Sequence, residues 1–255
     1  MTTKRTVVIS DLQIPFNDKH VTRNIIQFIK QFRPDAVASV GDEIDLPQIS
    51  RWEEGRQGWY EQTLADHRDE AVETLWALGE YAKEQHMVRS NHLDRLYSVI
   101  ARRVPAFHAL PELRLEKFLK LDELGIKYWK DPFPIAKGWV MVHGDQTPLN
   151  PNPGMSALNA AKRYGLNVIS GHTHRAGRSA ISEASGGVLR RVLHGIEVGH
   201  LMDIKKAAYT HGSPNWQQAF AIVFENGKNV QIDLIHIEKD GTFCVWGKRY
   251  GRPRA

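Results

Sequence analysis

Apolar and polar positions alternate along the chain in blocks that predict strands and helices in turn. Thr6 to Ile9 is a short β-branched run that breaks at Ser10-Asp11, and Ala36 to Val40 is a second buried run. Between them, the apolar residues of Val21 to Phe32 recur at helical spacing and stop before Pro34. Strand, helix and strand in this order form a βαβ unit, which predicts a parallel sheet with a right-handed crossover.

The alternation continues as far as residue 174 and then changes to a strand-rich pattern. We predict a long helix from about Glu61 to Gln85, a strand at Met87–Arg89, a helical basic segment from Leu93 to Leu124, a strand at Trp139–Val142, a helix at Ser156–Tyr164 and a strand at Asn167–Ile169. Later apolar runs predict antiparallel strands at Val188–Val192, Ala219–Phe224, Val230–Ile237 and Thr242–Trp246. Asn226-Gly227 and Asp240-Gly241 are hairpin turn signals between the last three. The chain is therefore predicted to be one α/β domain over residues 1–255, with a helical insert near 93–130 and a basic, mobile tail at 248–255.

Composition and charge narrow the class of protein. The chain has 255 residues, of which 42% are hydrophobic and 25% charged, as in folded globular proteins. Its net charge of +5 favours anionic ligands such as phosphate or nucleic acid. Cys244 is the single cysteine, which excludes an internal disulfide and fits a reducing compartment. The apolar run at Thr6–Ile9 is too short for a signal peptide or a membrane span, so we expect a cytoplasmic protein without membrane contact.

Side chains that bind metals follow five of the predicted strands, namely Asp11, Asp42, Asn91-His92, His143 and His172-Thr173-His174. Ligands of open α/β sheets bind outside the carboxyl ends of the strands, so these groups can converge. In an extended turn, the two imidazoles of the His-x-His sequence leave on the same side. Oxygen and nitrogen donors suit manganese, iron or zinc, and the lack of cysteine among them argues against a structural zinc site.

Taken in order, these motifs resemble the calcineurin-like metallophosphoesterase superfamily, and most closely its small bacteriophage-encoded members. The matching motifs are Asp11-x-Gln13, Gly41-Asp42-x-x-Asp45, Asn91-His92, His143 and Gly171-His172-x-His174. The resemblance spans residues 7 to 174. It implies a four-layer α/β/β/α sandwich in which two mixed β-sheets are flanked by helices.

The resemblance also implies a role for each matched residue. Two divalent ions are expected, manganese first, with iron, zinc or nickel as alternatives. The implied ligands are Asp11, Gln13 and His174 for the first ion, Asp42 as the bridge, and Asn91, His143 and His172 for the second ion. His92 is implied to be the catalytic histidine beside the scissile phosphate, and Asp45 the acid that orients it. Arg175, directly after His174, is our candidate for a phosphate contact.

The expected chemistry is hydrolysis of a phosphodiester by a two-metal mechanism. Two divalent ions sharing a carboxylate lower the pKa of a water between them towards 7, and the resulting metal-bound hydroxide attacks phosphorus in line. A protonated His92 donates to the leaving alkoxide, and Asp45 favours the imidazolium. Because only Asp11 and Asp42 among the ligands are anionic, the site stays net positive and suits an anionic ester.

Three positions depart from the superfamily pattern. Most members have histidine where Gln13 stands, and an amide oxygen is a weaker ligand than imidazole. The first ion is therefore expected to bind loosely or to be Mn²⁺, and the alternative is that Gln13 is not a ligand. Ser90 replaces the usual glycine before Asn91-His92. Leu46 stands where protein phosphatases of the superfamily place an arginine, which makes protein phosphatase activity unexpected.

The leading prediction is a phosphodiesterase for nucleotide-type substrates, with 2′,3′-cyclic or 3′,5′-cyclic nucleotides first. The runner-up is a DNA or RNA nuclease of the repair-exonuclease type, in which the basic tail and the Leu93–Leu124 segment bind a strand. A third hypothesis is a nucleic-acid-binding protein on a degenerate phosphoesterase fold, with Gln13 as the sign of decay. Trp52 and Trp59 are expected either to stack on a base or to pack in the core or in a lid. One of the three later histidines is a candidate to line the site: His194, His200 or His211. The oligomeric state stays open.

Overall fold

The computed structural model describes residues 2–50, 63–206 and 214–254. Its strands, in chain order, are β1 (Lys4–Ile9), β2 (Ala36–Ser39), β3 (Glu84–Val88), β4 (Ile126–Trp129), β5 (Phe133–Ala136), β6 (Trp139–Val142), β7 (Asn167–Ser170), β8 (Ala176–Ser185), β9 (Val188–Val198), β10 (Ala219–Asn226), β11 (Asn229–His236), β12 (Phe243–Val245) and β13 (Lys248–Tyr250). The α-helices of the described residues are α1 (Lys19–Phe32), α2 (Leu64–Gly79), α3 (Asp94–Arg103), α4 (Leu115–Phe118) and α5 (Met155–Tyr164).

Two mixed sheets make up the centre of the molecule. The first has the order β11-β10-β1-β2-β3-β4, in which β1 to β4 are parallel and β10 and β11 are antiparallel additions. The second has the order β5-β6-β7-β9-β8, with β6, β7 and β9 parallel and an antiparallel strand at each edge. Strands β12 and β13 form a separate hairpin.

The two sheets face each other, and helices cover their outer faces. Val8 of β1 and Ile169 of β7 belong to one apolar cluster between the sheets. Val7 points the other way, into a cluster with Phe28 of α1. Helix α5 packs Ala157 on the outer face of the second sheet. Because β1 is buried on both faces, its sequence is a continuous apolar run rather than an alternating one, as parallel strands require.

Helix α1 begins where a side chain can satisfy its first free amide groups. Asp18 caps the helix by accepting from the backbone N–H groups of His20 and Val21, each at 3.2 Å. The helix ends at Arg33, which has a left-handed backbone and donates its N–H to the carbonyl of Ile29 at 2.8 Å. The loop before Asp18 thus stays fixed between β1 and the helix, and this loop carries Asp11 and Gln13.

The long helix predicted from about Glu61 to Gln85 is too long at its C-terminal end. Helix α2 ends at Gly79, and Glu84 already pairs with Ala36 as the first residue of β3. Parallel pairing with β2 overrides the helical tendency of residues 80–85. The predicted start at Glu61 lies outside the described residues.

Two segments within the predicted domain differ in local structure from the expectation. The insert near 93–130 is helical only as far as Phe118, because Ile126–Trp129 joins the first sheet as its edge strand. The basic tail predicted to be mobile is held in place, since Lys248–Tyr250 is a strand and Arg254 contacts Asp18. Strand β8 was not predicted, because only one of its half-buried residues, Ile181, is a large apolar side chain, and the others are Gly177, Ser179 and Glu183.

None of the helices among the described residues combines the length and the apolar character that crossing a membrane requires.

Candidate metal centre and active site

The loops that follow β1, β2, β3, β6 and β7 meet at one edge of the two-sheet sandwich. Backbone hydrogen bonds tie them to one another. The N–H of Asp11 donates to the carbonyl of Gly41 at 3.1 Å, and the N–H of Gln13 donates to the carbonyl of Asp42 at 2.8 Å. On the second sheet, Gly171 N–H donates to the His143 carbonyl at 2.9 Å. The predicted ligands are therefore carried by loops that share hydrogen bonds.

One group of side chains gathers around Asp11, which is completely buried. Its Oδ1 lies 3.1 Å from Nε2 of His174. Its Oδ2 accepts from the hydroxyl of Ser10 and from the backbone N–H of His172, the latter at 3.0 Å. The side-chain amide nitrogen of Gln13 lies 3.0 Å from the same His174 Nε2. Asp11, Gln13 and His174 thus face a common point.

A second group gathers around Asp42, which is also buried. Nε2 of His143 lies 3.2 Å from Asp42 Oδ2 and 2.9 Å from the amide oxygen of Asn91. Potential ligand atoms of Asp42, His143 and His172 all lie within 4.8 Å of one another. Asn91 is thus the fourth predicted ligand at this point. Among the described residues no hydrogen bond or ion pair joins the side chain of Asp42 to that of Asp11, Gln13 or His174.

Backbone strain is concentrated at these loops. Nine described non-glycine residues have a positive φ, and five of them belong to the predicted ligand set: Asp11, Gln13, Asp42, His172 and His174, with φ between 49° and 65°. Such a conformation costs roughly 1–3 kcal/mol for a non-glycine residue and persists only where the surroundings impose it. A concentration of strain at one edge of the fold is typical of a functional site.

Glycine is required next to two of the ligands because the loops approach so closely. A Cβ on Gly171 would lie 2.0 Å from the hydroxyl of Ser10 and 2.5 Å from Oδ2 of Asp11. A Cβ on Gly41, where φ is +108°, would lie 2.9 Å from Nδ1 of His143. The φ of Gly171 is not positive, so its role is to let the loop after β7 approach Ser10 and Asp11 in the loop after β1.

The buried charges of the site are strongly coupled. Burial by itself raises the pKa of Asp42. The charges of His143 and His92 and the hydrogen bonds of His143 and Ser90 lower it by more, so the pKa lies well below its ordinary value. Burial lowers the pKa of His143, whereas the charge of Asp42, its hydrogen bond and the charge of Asp11 raise it, to about 9. Asp42 thus stays ionised and stabilises a positive charge beside it, which is either the proton on His143 or a bound cation.

The chemistry of the donors fits divalent ions. Carboxylate oxygens, an amide oxygen and imidazole nitrogens are ligands for manganese, iron or zinc. Oε1 of Gln13 and Nδ1 of His174 are buried without a hydrogen-bond partner, which is costly unless a cation or water satisfies them. A 180° rotation of the Gln13 amide would bring Oε1 to the place of its nitrogen. Asp11, Gln13 and His174 could hold one ion, and Asp42, Asn91, His143 and His172 another.

His92 lies next to this cluster and contacts two charged groups. Its Nδ1 is 2.6 Å from Oδ1 of Asp45, and its Nε2 is 3.7 Å from Oδ2 of Asp42. Arg95 Nη2 donates to His92 Nε2 at 2.8 Å. Burial lowers the pKa of His92, but the charge of Asp42 and the hydrogen bond and charge of Asp45 raise it above its ordinary value. The imidazole is therefore held between one carboxylate and the ligand cluster.

Some residues that we predicted to bind substrate or to line the site have no described contact with the ligands. The side chain of Arg175 has no described hydrogen bond or ion pair to the ligands, and its Nε is buried without a partner. His194 stacks on Trp139, away from the cluster. His200 lies 5.4 Å from the His174 ring, but its Nδ1 accepts from Met202 N–H at 3.1 Å. The ring proton is then on Nε2, so His200 cannot bind a metal through that atom. Trp52, Trp59 and His211 lie outside the described residues.

Two residues near the cluster escaped the sequence analysis. Glu197 of β9 is completely buried, and its Oε2 accepts from the hydroxyl of Thr173 at 3.0 Å. Its Oε1 accepts from the backbone N–H of Ser156 at 3.0 Å, in the first turn of α5. The other residue, Trp216, packs its ring 4.2 Å from that of His174. The only signal for Glu197 was an isolated acid inside the apolar run Ile196–Val198.

Comparison with known proteins gives close relatives among bacteriophage proteins. The chain is 32% identical to the Gene 54 protein of Mycobacterium phage D29 over 250 residues, which cover 96% of this chain and 97% of that protein. It is also 32% identical to the Gene 54 protein of Mycobacterium phage L5 over 253 residues, covering 96% of this chain and 98% of that protein. No family model matches the sequence.

Among solved structures, the fold is similar to that of vacuolar protein sorting 29 from Cryptosporidium parvum. The TM-score is 0.50 and the identity 16%, over 99% of this chain and 100% of that chain. At this identity the similarity concerns the fold alone.

Proposed function

This chain belongs to the family of the mycobacteriophage Gene 54 proteins and has the calcineurin-like metallophosphoesterase fold, and from this premise we propose that it is a metal-dependent phosphodiesterase. The observation that supports the proposal most is the cluster in which Asp42, His143 and His172 offer ligand atoms within 4.8 Å, with His92 only 3.7 Å from Asp42. A cation site with an imidazole directly beside it suits the cleavage of a phosphoester.

We assign two divalent ions to the cluster, manganese first. Asp11, Gln13 and His174 hold one ion, and Asn91, His143 and His172 hold the other. Asp42 would be the carboxylate that both share, as the resemblance implies, and its backbone carbonyl accepts from the N–H of Gln13 at 2.8 Å, which holds the two loops together. When bound, the ions supply positive charge to the phosphoryl oxygens and activate a water molecule.

His92 and Asp45 form the proton-transfer pair in this proposal. Asp45 Oδ1 accepts from His92 Nδ1, which fixes the ring and leaves Nε2 directed to the cluster. His92 donates a proton from Nε2 to the leaving oxygen of the ester. Asp42 and Asp45 both raise the pKa of His92 in the metal-free protein, which favours the imidazolium.

A nucleotide-type phosphodiester is the substrate class that we infer, with cyclic nucleotides first and the cytoplasm as the expected location. The ligand set contributes two carboxylates against two dications, so the loaded site attracts an anionic ester. The nuclease alternative loses part of one support, because two of the tail arginines pair with carboxylates of the chain. Arg249 lies 2.5 Å from Asp240, and Arg254 contacts Asp18.

Hydrolysis of bis-p-nitrophenyl phosphate with Mn²⁺, and after treatment with EDTA, tests the proposal. We expect Mn²⁺-dependent turnover, which His92→Ala abolishes while Mn²⁺ binding remains. His236→Ala is the matched control, because this histidine is exposed on β11. Turnover that is absent in the wild type, or equal in His92→Ala, would contradict the proposal. Cyclic mononucleotides compared with single-stranded DNA then separate the small-molecule activity from that of a nuclease.

A further inference from the structure

Arg95 contacts Nε2 of His92, the ring nitrogen that faces the metal-ligand cluster. It lies in the first turn of α3, three residues after His92, and its side chain is 21% exposed. Nη2 donates to His92 Nε2 at 2.8 Å, and Nη1 contacts the carbonyl oxygen of Asp45 and lies 3.3 Å from its Oδ1. The guanidinium therefore sits on the side of the imidazole that faces the ligand cluster and the solvent.

The two other arginines near the motifs make no described contact with His92. Arg89 is neutralised by two carboxylates, with its Nη2 2.5 Å from Asp94 and its Nη1 2.7 Å from Asp145. Arg175 makes no described side-chain contact with the ligands. Arg95, in contrast, shares the carboxylate of Asp45 with His92. The single negative charge of Asp45 therefore faces both a guanidinium and an imidazole. Unlike Arg89, Arg95 has among the described residues only this one carboxylate, which it shares with an imidazole.

The bond to His92 also shows what Arg95 must do when a substrate arrives. A guanidinium can only donate hydrogen bonds, so His92 Nε2 is the acceptor in this arrangement. For Nε2 to face a substrate oxygen, Arg95 has to exchange the imidazole for another acceptor. Phosphoryl oxygens are acceptors with the geometry that a guanidinium fits, and one that lies within hydrogen-bond distance of Nε2 also lies close to Nη2.

We propose that Arg95 is a substrate-binding residue that holds the phosphoryl group beside His92, a role that our sequence analysis gave to Arg175. The inference rests on the proposed function, because it assigns the anion that this same site takes. Arg95 binds a non-bridging oxygen through Nη2 while Nη1 stays on Asp45. The substrate is thereby held against the imidazole, and Nε2 is free to meet the leaving oxygen.

Binding of inorganic phosphate to the Mn²⁺-loaded protein, measured by calorimetry, tests this role without turnover. We expect Arg95→Ala to weaken phosphate binding about 10- to 100-fold, the range for a hydrogen bond to a charged group, and Arg95→Lys to weaken it less. Mn²⁺ affinity and the melting temperature should stay as in the wild type. Arg102→Ala is the matched control, since it removes an exposed arginine from the same helix.

Phosphate affinity in Arg95→Ala equal to that of the wild type would overturn the inference, as would an equal loss in Arg102→Ala or no phosphate binding by the wild type. If the alanine variant melts well below the wild type, Arg95→Gln gives the same comparison with the hydrogen bond to Asp45 retained. Phosphate binding through Arg95 in a protein that hydrolyses no phosphodiester would reject the proposed function and leave this inference standing. Turnover of a phosphodiester together with phosphate binding that does not depend on Arg95 would support the proposed function and reject this inference.

Discussion

At the scale of single residues, Gln13 is the position at which this chain differs most from a typical ligand set. Its amide lies beside Asp11 and His174, where an imidazole would be the stronger donor. The side chain is 1% exposed, and its Oε1 has no partner. A buried amide that is only half satisfied costs about 1–3 kcal/mol, so its retention points to a ligand that is bound in the working protein.

We predict that Gln13→His tightens binding of the first metal ion by about tenfold, because imidazole is a better donor than an amide. Titration of the metal-free protein with Mn²⁺ in a calorimeter measures the change, and Gln13→Ala is the comparison that removes the donor. An unchanged affinity in both variants would show that this position does not contact the ion.

At the scale of secondary-structure elements, the His172–His174 turn is fixed from behind by Glu197. One buried carboxylate of β9 joins the first turn of α5 to the hydroxyl of Thr173, between the two histidines. The same hydroxyl accepts from the N–H of Arg175 at 3.2 Å. The orientation of both imidazoles therefore depends on how α5 packs on the second sheet.

Thr173→Val keeps the shape of the side chain but removes its hydroxyl, and it leaves Oε2 of Glu197 buried without a donor. We expect Mn²⁺ binding to weaken about tenfold, as is common when the groups that orient metal ligands are lost. Thr173→Ser retains the hydroxyl and should bind Mn²⁺ like the wild type. Equal affinities in the valine and serine variants, at equal thermal stability, would rule out this orienting role.

At the scale of the whole molecule, the site is a concentration of buried charge that the fold must tolerate. His143 has a pKa of about 9, whereas His200, buried beside His174, has its pKa lowered to about 3, mainly by desolvation. Glu43, directly after Asp42, is completely buried and has a pKa raised by burial to about 7. The stability of the metal-free protein must therefore depend on pH.

We predict that the metal-free protein loses stability as the pH rises from about 6 to about 9. The pKa of His143 is raised above its ordinary value of 6.5, so its contribution is complete below that value and is lost as the pH passes through about 9. Glu43, protonated in the fold, acts in the same direction between 4.5 and about 7. Urea unfolding in EDTA should show a loss of about 1–3 kcal/mol over this range.

His143→Gln should flatten this dependence, because the variant lacks the titrating imidazole. Saturation with Mn²⁺ should flatten it as well, because the cation then provides the positive charge that the proton provides in its absence. A stability that rises between about pH 7 and about pH 9 in the metal-free wild type would contradict the predicted direction.

The sequence alone was sufficient to predict the fold class. The βαβ unit, the strands β1, β2 and β6 and the hairpin at Asn226-Gly227 follow from local patterns, because burial on both faces and turn chemistry leave strong signals in short segments. The fold shared with vacuolar protein sorting 29 confirms the predicted fold, and the phage relatives confirm the likeness to bacteriophage-encoded proteins. The individual ligand and catalytic roles stay predictions.

Only the tertiary structure decided which of the remaining side chains contact the site. Arg175 directly follows a motif and Arg95 comes three residues after one, yet it is Arg95 that contacts His92, because helix α3 directs its side chain to the imidazole. Glu197 is a lone acid in an apolar strand until β9 pairs with β7 and brings it to Thr173. Contacts between distant segments are set by packing, and no local pattern of residues records them.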